Sequence, residues 1–116
     1  MSAIHCVGIG GVGVSALAKW LLVLGYRVSG SDEVDGPYLD GLKTRGVLIG
    51  IGADARHVPA DTELLIYSEA VPPTHPERLE ARIRGIQEMS SFQLLGALVR
   101  EKQVVVVAGT HGKSTT

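Results

Sequence analysis

Short apolar runs alternate along the chain with segments in which apolar residues recur every three or four positions. The first run, residues 4–7, ends in a cluster of glycines, and residues 14–22 then place apolar side chains at helical spacing as far as Gly25. After a connection short enough only for a tight turn, residues 26–30 fit a second strand that stops at Ser31 and Asp32. The pattern predicts a strand, a helix and a second strand, which together make one βαβ unit.

The same alternation continues downstream with a short helix and three more strands. Residues 37–45 predict a brief helix, residues 47–51 and 64–67 predict strands, and residues 86–88 predict a weaker strand. Strands that alternate with helices on short connections form a parallel sheet, because each right-handed crossover lays its helix on one face of the sheet. The predicted fold class is therefore α/β: a doubly wound, Rossmann-like parallel sheet of about five strands with helices on both faces.

Two of the predicted helices carry a capping box at their start. Thr74 is followed three residues later by Glu77, and this pair predicts a helix that ends at Gly85. Ser90 and Gln93 repeat the same spacing and predict the start of a last helix, which should reach about residue 102.

Composition narrows the classes of function. The chain has 116 residues, of which 45% are hydrophobic and 20% charged, so it can bury one core. Eleven basic and twelve acidic residues give a net charge of −1 without a basic block, which argues against nucleic acid or an anionic membrane as partner. The single cysteine, Cys6, cannot form an internal disulfide, and the first residues lack the features of a signal peptide. We therefore expect a cytoplasmic protein.

Residues 8–13 read GIGGVG and match G-x-G-x-x-G between a strand and a helix. In this pattern Gly8 allows a tight turn, Gly10 lets a ligand approach the backbone, and Gly13 permits close packing of the helix. The unpaired amides at the start of the helix, together with its dipole, favour a diphosphate. The motif predicts an anion site, with a purely structural turn as the alternative.

Asp32 ends the second strand, nineteen residues after Gly13. A carboxylate in this place accepts hydrogen bonds from ribose hydroxyls, with Ser31 as a lesser contact, whereas the alternative is a solvated aspartate that caps a turn. This pattern does not distinguish NAD from a UDP-sugar. An NAD-binding oxidoreductase domain and a non-catalytic nucleotide-sensing module therefore stay open on these residues alone.

A second glycine motif ends the chain. Residues 104–107 are four valines, and the loop that follows ends in Gly112, Lys113 and Ser114. In a phosphate loop the backbone amides cradle phosphate, the lysine neutralises its charge and the serine hydroxyl can hold Mg²⁺. The usual spacing would require a glycine at position 107, where Val107 stands. We expect residues 1–102 to form one domain and residues 103–116 to begin a second, ATP-binding domain of a longer enzyme.

These segments carry a resemblance to a known family. Residues 108–116, AGTHGKSTT, resemble the ATP loop of the Mur ligases. Residues 4–13 together with residues 30–32 resemble the beginning of those members that attach L-alanine to UDP-N-acetylmuramate, and residues 67–86 follow the same order of motifs. The resemblance spans the whole chain, and the two glycine motifs are far more specific together than either is alone.

The resemblance implies a three-domain cytoplasmic enzyme of peptidoglycan synthesis. Its first domain would bind the UDP part of UDP-N-acetylmuramate, and its central domain would bind ATP and Mg²⁺, with no NAD expected. ATP would phosphorylate the substrate carboxylate, and the amine of L-alanine would attack the acyl phosphate. A sibling ligase that attaches a tripeptide to the same sugar nucleotide stays open. The present chain alone is expected to be inactive.

The resemblance also implies roles for individual residues. Lys113 would be catalytic, by stabilising charge on the transferred phosphoryl group, and Ser114 would hold Mg²⁺. Independently of the resemblance, His5 is expected to be a core histidine whose polar atoms are satisfied, because nothing beside it has metal-ligand spacing. The expected contacts of the UDP part are Gly8, Gly10, Gly11, Val12, Gly13, Ser31, Asp32 and Ser68. The expected contacts of ATP are Gly109, Thr110, His111, Gly112, Lys113, Ser114 and Thr115.

Overall fold

The structure is a computed structural model and describes residues 2–101. The second strand ends at Asp32, as predicted, whereas the last strand extends to Ser90, two residues beyond its predicted end. Pairing with a neighbouring strand sets these ends, since Ser31 pairs with Val7 and Ser90 with Tyr67. The strands are β1 Ala3–Val7, β2 Arg27–Asp32, β3 Leu48–Ile51, β4 Thr62–Tyr67 and β5 Gln87–Ser90.

All five strands are parallel and lie in the order β3-β2-β1-β4-β5. In the central strand, Cys6 pairs with Gly30 on one side and with Ile66 on the other. The chain builds the sheet outward from β1 to β3 and then returns to the other side of β1 for β4. Connections on the two sides of such a reversal leave a crevice at the carboxyl ends of the strands. The predicted fold class is confirmed.

Within the described residues, three α-helices lie between strands and a fourth follows the last strand. The brief helix predicted over residues 37–45 consists of a 3₁₀ turn, Pro37–Leu39, followed by a single α-helical turn. A second 3₁₀ turn, Ala55–His57, precedes β4. Within residues 2–101, no helix combines the length and the apolar character that crossing a bilayer requires. The helices are α1 Val12–Val23, α2 Asp40–Lys43, α3 Pro76–Arg84 and α4 Ser91–Glu101.

Side chains alternate between the two faces of the sheet, so each face has its own core. Helices α1, α2 and α4 cover the larger core, which includes Ile4, Cys6 and Ile66 from the central strands. Helix α3 covers the opposite face, where Val7 and Leu65 pack against Ala81. The helices therefore lie on both faces, as predicted.

One of the two predicted capping boxes forms. The Gln93 amide donates to Ser90 Oγ at 3.1 Å, and the Ser90 amide donates to Gln93 Oε1 at 2.9 Å. The box predicted for Thr74 and Glu77 is wrong, because α3 is capped by His75, whose Nδ1 accepts from the Glu77 amide at 3.1 Å. The Glu77 side chain does not return to the helix start, since it is fully buried among other partners.

Candidate functional site

A cleft of about 360 Å³ opens at the carboxyl ends of the central strands. It lies at the reversal of strand order, which is the place where ligands bind in open α/β sheets. Five of the residues predicted to contact the UDP part line it: Gly8, Gly11, Ser31, Asp32 and Ser68. The other lining residues are Val7, Glu33, Val34, Gly52, Ala70, Val71, Pro72 and His75.

The glycine-rich loop between β1 and α1 forms one wall of the cleft, and hydrogen bonds tie it to the end of β2. The amides of Gly8 and Ile9 both donate to the Ser31 carbonyl at 2.9 Å. The Gly11 amide donates to the Gly8 carbonyl at 3.0 Å. Gly8 has a φ of +79°, so it makes the tight turn that the motif predicts. The first amides of the loop are therefore already used within the protein.

Unpaired amides remain at the first turn of α1. The helix begins at Val12, and its N-cap, Gly11, offers no side chain that could accept from the first amides. A helix leaves these amides without internal acceptors, and the described residues supply none for Val12, Gly13 or Val14. The positive end of the helix dipole lies at the same place. Of the amides predicted to face an anion, those of the first turn of α1 are therefore the ones without an acceptor within the described residues.

Asp32 links the glycine loop to the end of β2. Its Oδ2 accepts from the Gly10 amide at 2.8 Å, and its Oδ1 accepts from the Val34 amide at 3.1 Å. A carboxylate has about four acceptor sites, so each oxygen keeps one for a ribose hydroxyl. The bond from Val34 is the turn cap that the sequence analysis gave as the alternative, whereas the bond from Gly10 was not predicted. The contact with a ligand stays a prediction.

The structure changes the roles of two glycines in the motif. A Cβ on Gly10 would lie 2.7 Å from Asp32 Oδ2 and 3.0 Å from the Tyr38 ring, so contacts within the chain already require glycine there. A Cβ on Gly13 would meet nothing within 4 Å. The expectation that Gly13 permits close packing of the helix is therefore wrong, because no neighbouring atom approaches this position.

Beneath the cleft, the buried carboxylate of Glu77 accepts four hydrogen bonds. Oε1 accepts from Ser31 Oγ at 2.6 Å and faces His5 Nε2 at 2.7 Å. Oε2 accepts from the Asp54 amide at 3.2 Å and faces His57 Nδ1 at 3.1 Å. An ionised carboxylate only accepts, so both histidine nitrogens carry a proton toward it. Every acceptor site of the buried group is filled.

These hydrogen bonds decide the charge of Glu77. Burial alone would raise its pKa above the ordinary value of 4.5, but the hydrogen bonds that it accepts from His5, Ser31 and the Asp54 amide hold the pKa below that value. Glu77 is therefore ionised at neutral pH. His5 is fully buried and also pairs its Nδ1 with Ser29 Oγ at 2.8 Å, so the expected core histidine is confirmed.

Arg78, the next residue of α3, supports the opposite wall of the cleft. Its Nη1 donates to the Val71 carbonyl at 3.1 Å, and its Nε donates to Glu88 Oε1 at 2.7 Å. The guanidinium lies 3.6 Å from the centre of the Tyr67 ring. The loop after β4, which lines the cleft, is thus held to the helix by Arg78.

The sequence predictions leave out several residues of the cleft and its surroundings. His75, Val71 and Pro72 line the cleft, although their sequence gives no signal of a binding role. For Glu77 the sequence does give a signal, but the spacing from Thr74 predicts a capping residue and not a buried one. Its burial depends on partners far away in sequence. The predicted ATP contacts, residues 109–115, lie outside the described residues.

Comparisons with known proteins identify the family. The model of the Mur ligase family, catalytic domain, matches residues 3–103. UDP-N-acetylmuramate--L-alanine ligase of Methylibium petroleiphilum is 46% identical over 113 residues, which cover 97% of this chain and 24% of the relative. The chain thus spans about a quarter of the length of the curated relatives that it matches.

Solved structures agree with this result. UDP-N-acetylmuramate-alanine ligase from Thermotoga maritima matches with a TM-score of 0.83 and 27% identity, over 89% of this chain and 24% of that one. A murein peptide ligase from Psychrobacter arcticus matches with a TM-score of 0.79 and 26% identity, over 89% of this chain and 22% of that one. On the extent of the family match and the agreement of fold, the chain belongs to the Mur ligase family.

Proposed function

We propose that this chain is the part of a UDP-N-acetylmuramate:L-alanine ligase that binds the UDP moiety of the sugar nucleotide. The observation that carries the proposal is the cleft at the reversal of strand order, with the unpaired amides of the first turn of α1 beside it. The names of the related ligases support the same substrate class. They also favour a ligase over an NAD-binding oxidoreductase or a nucleotide sensor.

In this proposal the diphosphate accepts hydrogen bonds from the amides of Val12 and Gly13, and the helix dipole offsets its charge. The free acceptor sites of Asp32 take ribose hydroxyls. Ser68 faces the cleft from the loop after β4. Ser31 lines the cleft but donates its hydroxyl to Glu77, so its part in binding is mainly to fix the end of β2.

The chemistry of the whole enzyme is a further part of the proposal. ATP, when bound with Mg²⁺, would supply the phosphoryl group that activates the substrate carboxylate toward L-alanine. The residues proposed to hold it are those of the second loop, residues 109–115, with Lys113 as the catalytic group and Ser114 at the metal. A cytoplasmic location fits the unpaired thiol of Cys6.

A second candidate is the ligase that attaches a tripeptide to the same sugar nucleotide, since a murein peptide ligase shares the fold with a TM-score of 0.79. Both candidates place UDP in the same cleft. Dependence of the full-length enzyme on L-alanine or on the tripeptide separates them.

Titration calorimetry of this chain tests the proposal. We expect weak binding of UDP and of UDP-N-acetylmuramate, with dissociation constants of about 0.1 to 1 mM because most of the enzyme is missing, and no response to NADH. ADP serves as a control for unspecific binding of diphosphates. Tight binding of NADH without any response to UDP would overturn the proposal in favour of an oxidoreductase domain.

A further inference from the structure

We propose that Glu77 is a positioning residue of the nucleotide cleft, which holds its walls at the spacing that UDP requires. This inference rests on the proposed function, because it assigns a residue to the same cleft. Glu77 itself does not line the cleft. It acts through the residues that it joins.

The partners of Glu77 belong to separate walls. Ser31 stands at the end of β2, directly before Asp32. The Asp54 amide lies two residues after Gly52, which lines the cleft beyond β3. Glu77 is also in the first turn of α3, next to the cleft wall formed by its cap, His75. One carboxylate therefore connects three parts of the chain that are distant from one another in sequence.

Burial and hydrogen bonds fix the position of the Glu77 carboxylate. It is fully buried, and each oxygen has two donors within 3.2 Å. A glutamine in its place would keep the shape but would turn an N–H toward one pair of donors. The pair that faces this N–H, either His5 with Ser31 or His57 with Asp54, would lose its acceptor.

The position of the network predicts a local effect. It lies on the α3 face of the sheet, whereas the larger core lies on the other face, where α4 buries Leu94 and Leu98. Loosening the network should therefore alter the cleft walls while the larger core stays packed. If Glu77 had a purely structural role, its replacement would lower the stability of the protein without changing the affinity of the folded protein for UDP.

The test compares Glu77→Gln with Leu98→Ala, a control that removes buried packing on the opposite face, away from the cleft. We expect Glu77→Gln to weaken UDP binding about tenfold at a temperature where every variant is folded. Leu98→Ala should lower stability and bind UDP as the unchanged chain does. Equal affinity of folded Glu77→Gln and the unchanged chain would overturn the positioning role. Failure of the unchanged chain to bind UDP would instead refute the proposed function.

A readout without ligand keeps the two failures distinct. Amide hydrogen exchange at Val34 and Gly52 should become faster in Glu77→Gln, and unchanged exchange there would overturn the positioning role.

If Glu77→Gln does not fold, two substitutions of His57 test the same network. His57→Phe keeps a ring against Gly50 but removes the donor to Glu77, whereas His57→Asn keeps a donor near Nδ1. Only His57→Phe should weaken UDP binding, and equal binding by both would contradict the inference.

Discussion

Cys6 is expected to react with a thiol reagent about a thousandfold more slowly in the folded chain than in the unfolded chain. It lies in the central strand, is fully buried, and burial raises the pKa of its thiol from 9.0 to about 12. The reactive thiolate is therefore scarce at pH 8, and the reagent has no access to it. Because the chain has one cysteine, the rate measured with a disulfide reagent such as DTNB belongs to this residue alone.

The control is the same reaction in concentrated urea, where the thiol should react at the rate of a free cysteine. A fast reaction of the folded chain, comparable to that in urea, would contradict the burial of Cys6 and with it the position of β1 at the centre of the sheet. The same measurement at intermediate urea concentrations would follow the unfolding equilibrium.

Gly30→Ala should lower the free energy of unfolding by about 1 to 3 kcal/mol. A Cβ at this position would lie 2.5 Å from Ile9 Cδ1 and 2.8 Å from the Cys6 carbonyl oxygen. Ile9 is fully buried and the carbonyl belongs to the central strand, so neither can move away cheaply. Urea unfolding followed by circular dichroism measures the change.

Gly41→Ala is the matched control for this substitution. Gly41 lies in α2, and a Cβ there would meet nothing within 4 Å. Alanine is the better helix former, so the control should be neutral or stabilising by up to about 1 kcal/mol. Similar losses of stability in both variants would contradict the close approach of β2 to the glycine loop.

The sequence predicts the larger features of this fold because they depend on local patterns. The alternation of short strand-like segments with helical periodicity predicts all five strands, and the glycine motif predicts the turn at Gly8. The Ser90 and Gln93 capping box also forms as predicted, because both partners lie within one turn of chain. The cleft follows in turn from strand order and the motif, since ligands bind where the order reverses.

What the sequence does not predict depends on contacts between distant residues. The local pattern favours Glu77 as a capping residue, but its carboxylate bonds to His5, 72 residues away, and to Ser31, 46 residues away. Asp32 shows the same limit, because its bond to the Gly10 amide requires the β1–β2 register. Nothing in the spacing of the glycine motif distinguishes amides that are used within the loop from those that stay free.

If free amides at the first turn of α1 hold the diphosphate, Val12→Pro should remove one of its hydrogen bonds. Proline removes the amide but suits the first helical position, and the extended conformation of Gly11 is compatible with a following proline. The Val12 side chain is 89% exposed, so Val12→Ala is a control that keeps the amide at little cost. Loss of a charge-assisted hydrogen bond should weaken UDP binding about tenfold or more in Val12→Pro, with Val12→Ala unchanged. Equal affinity of the two variants for UDP would contradict binding of the diphosphate at these amides.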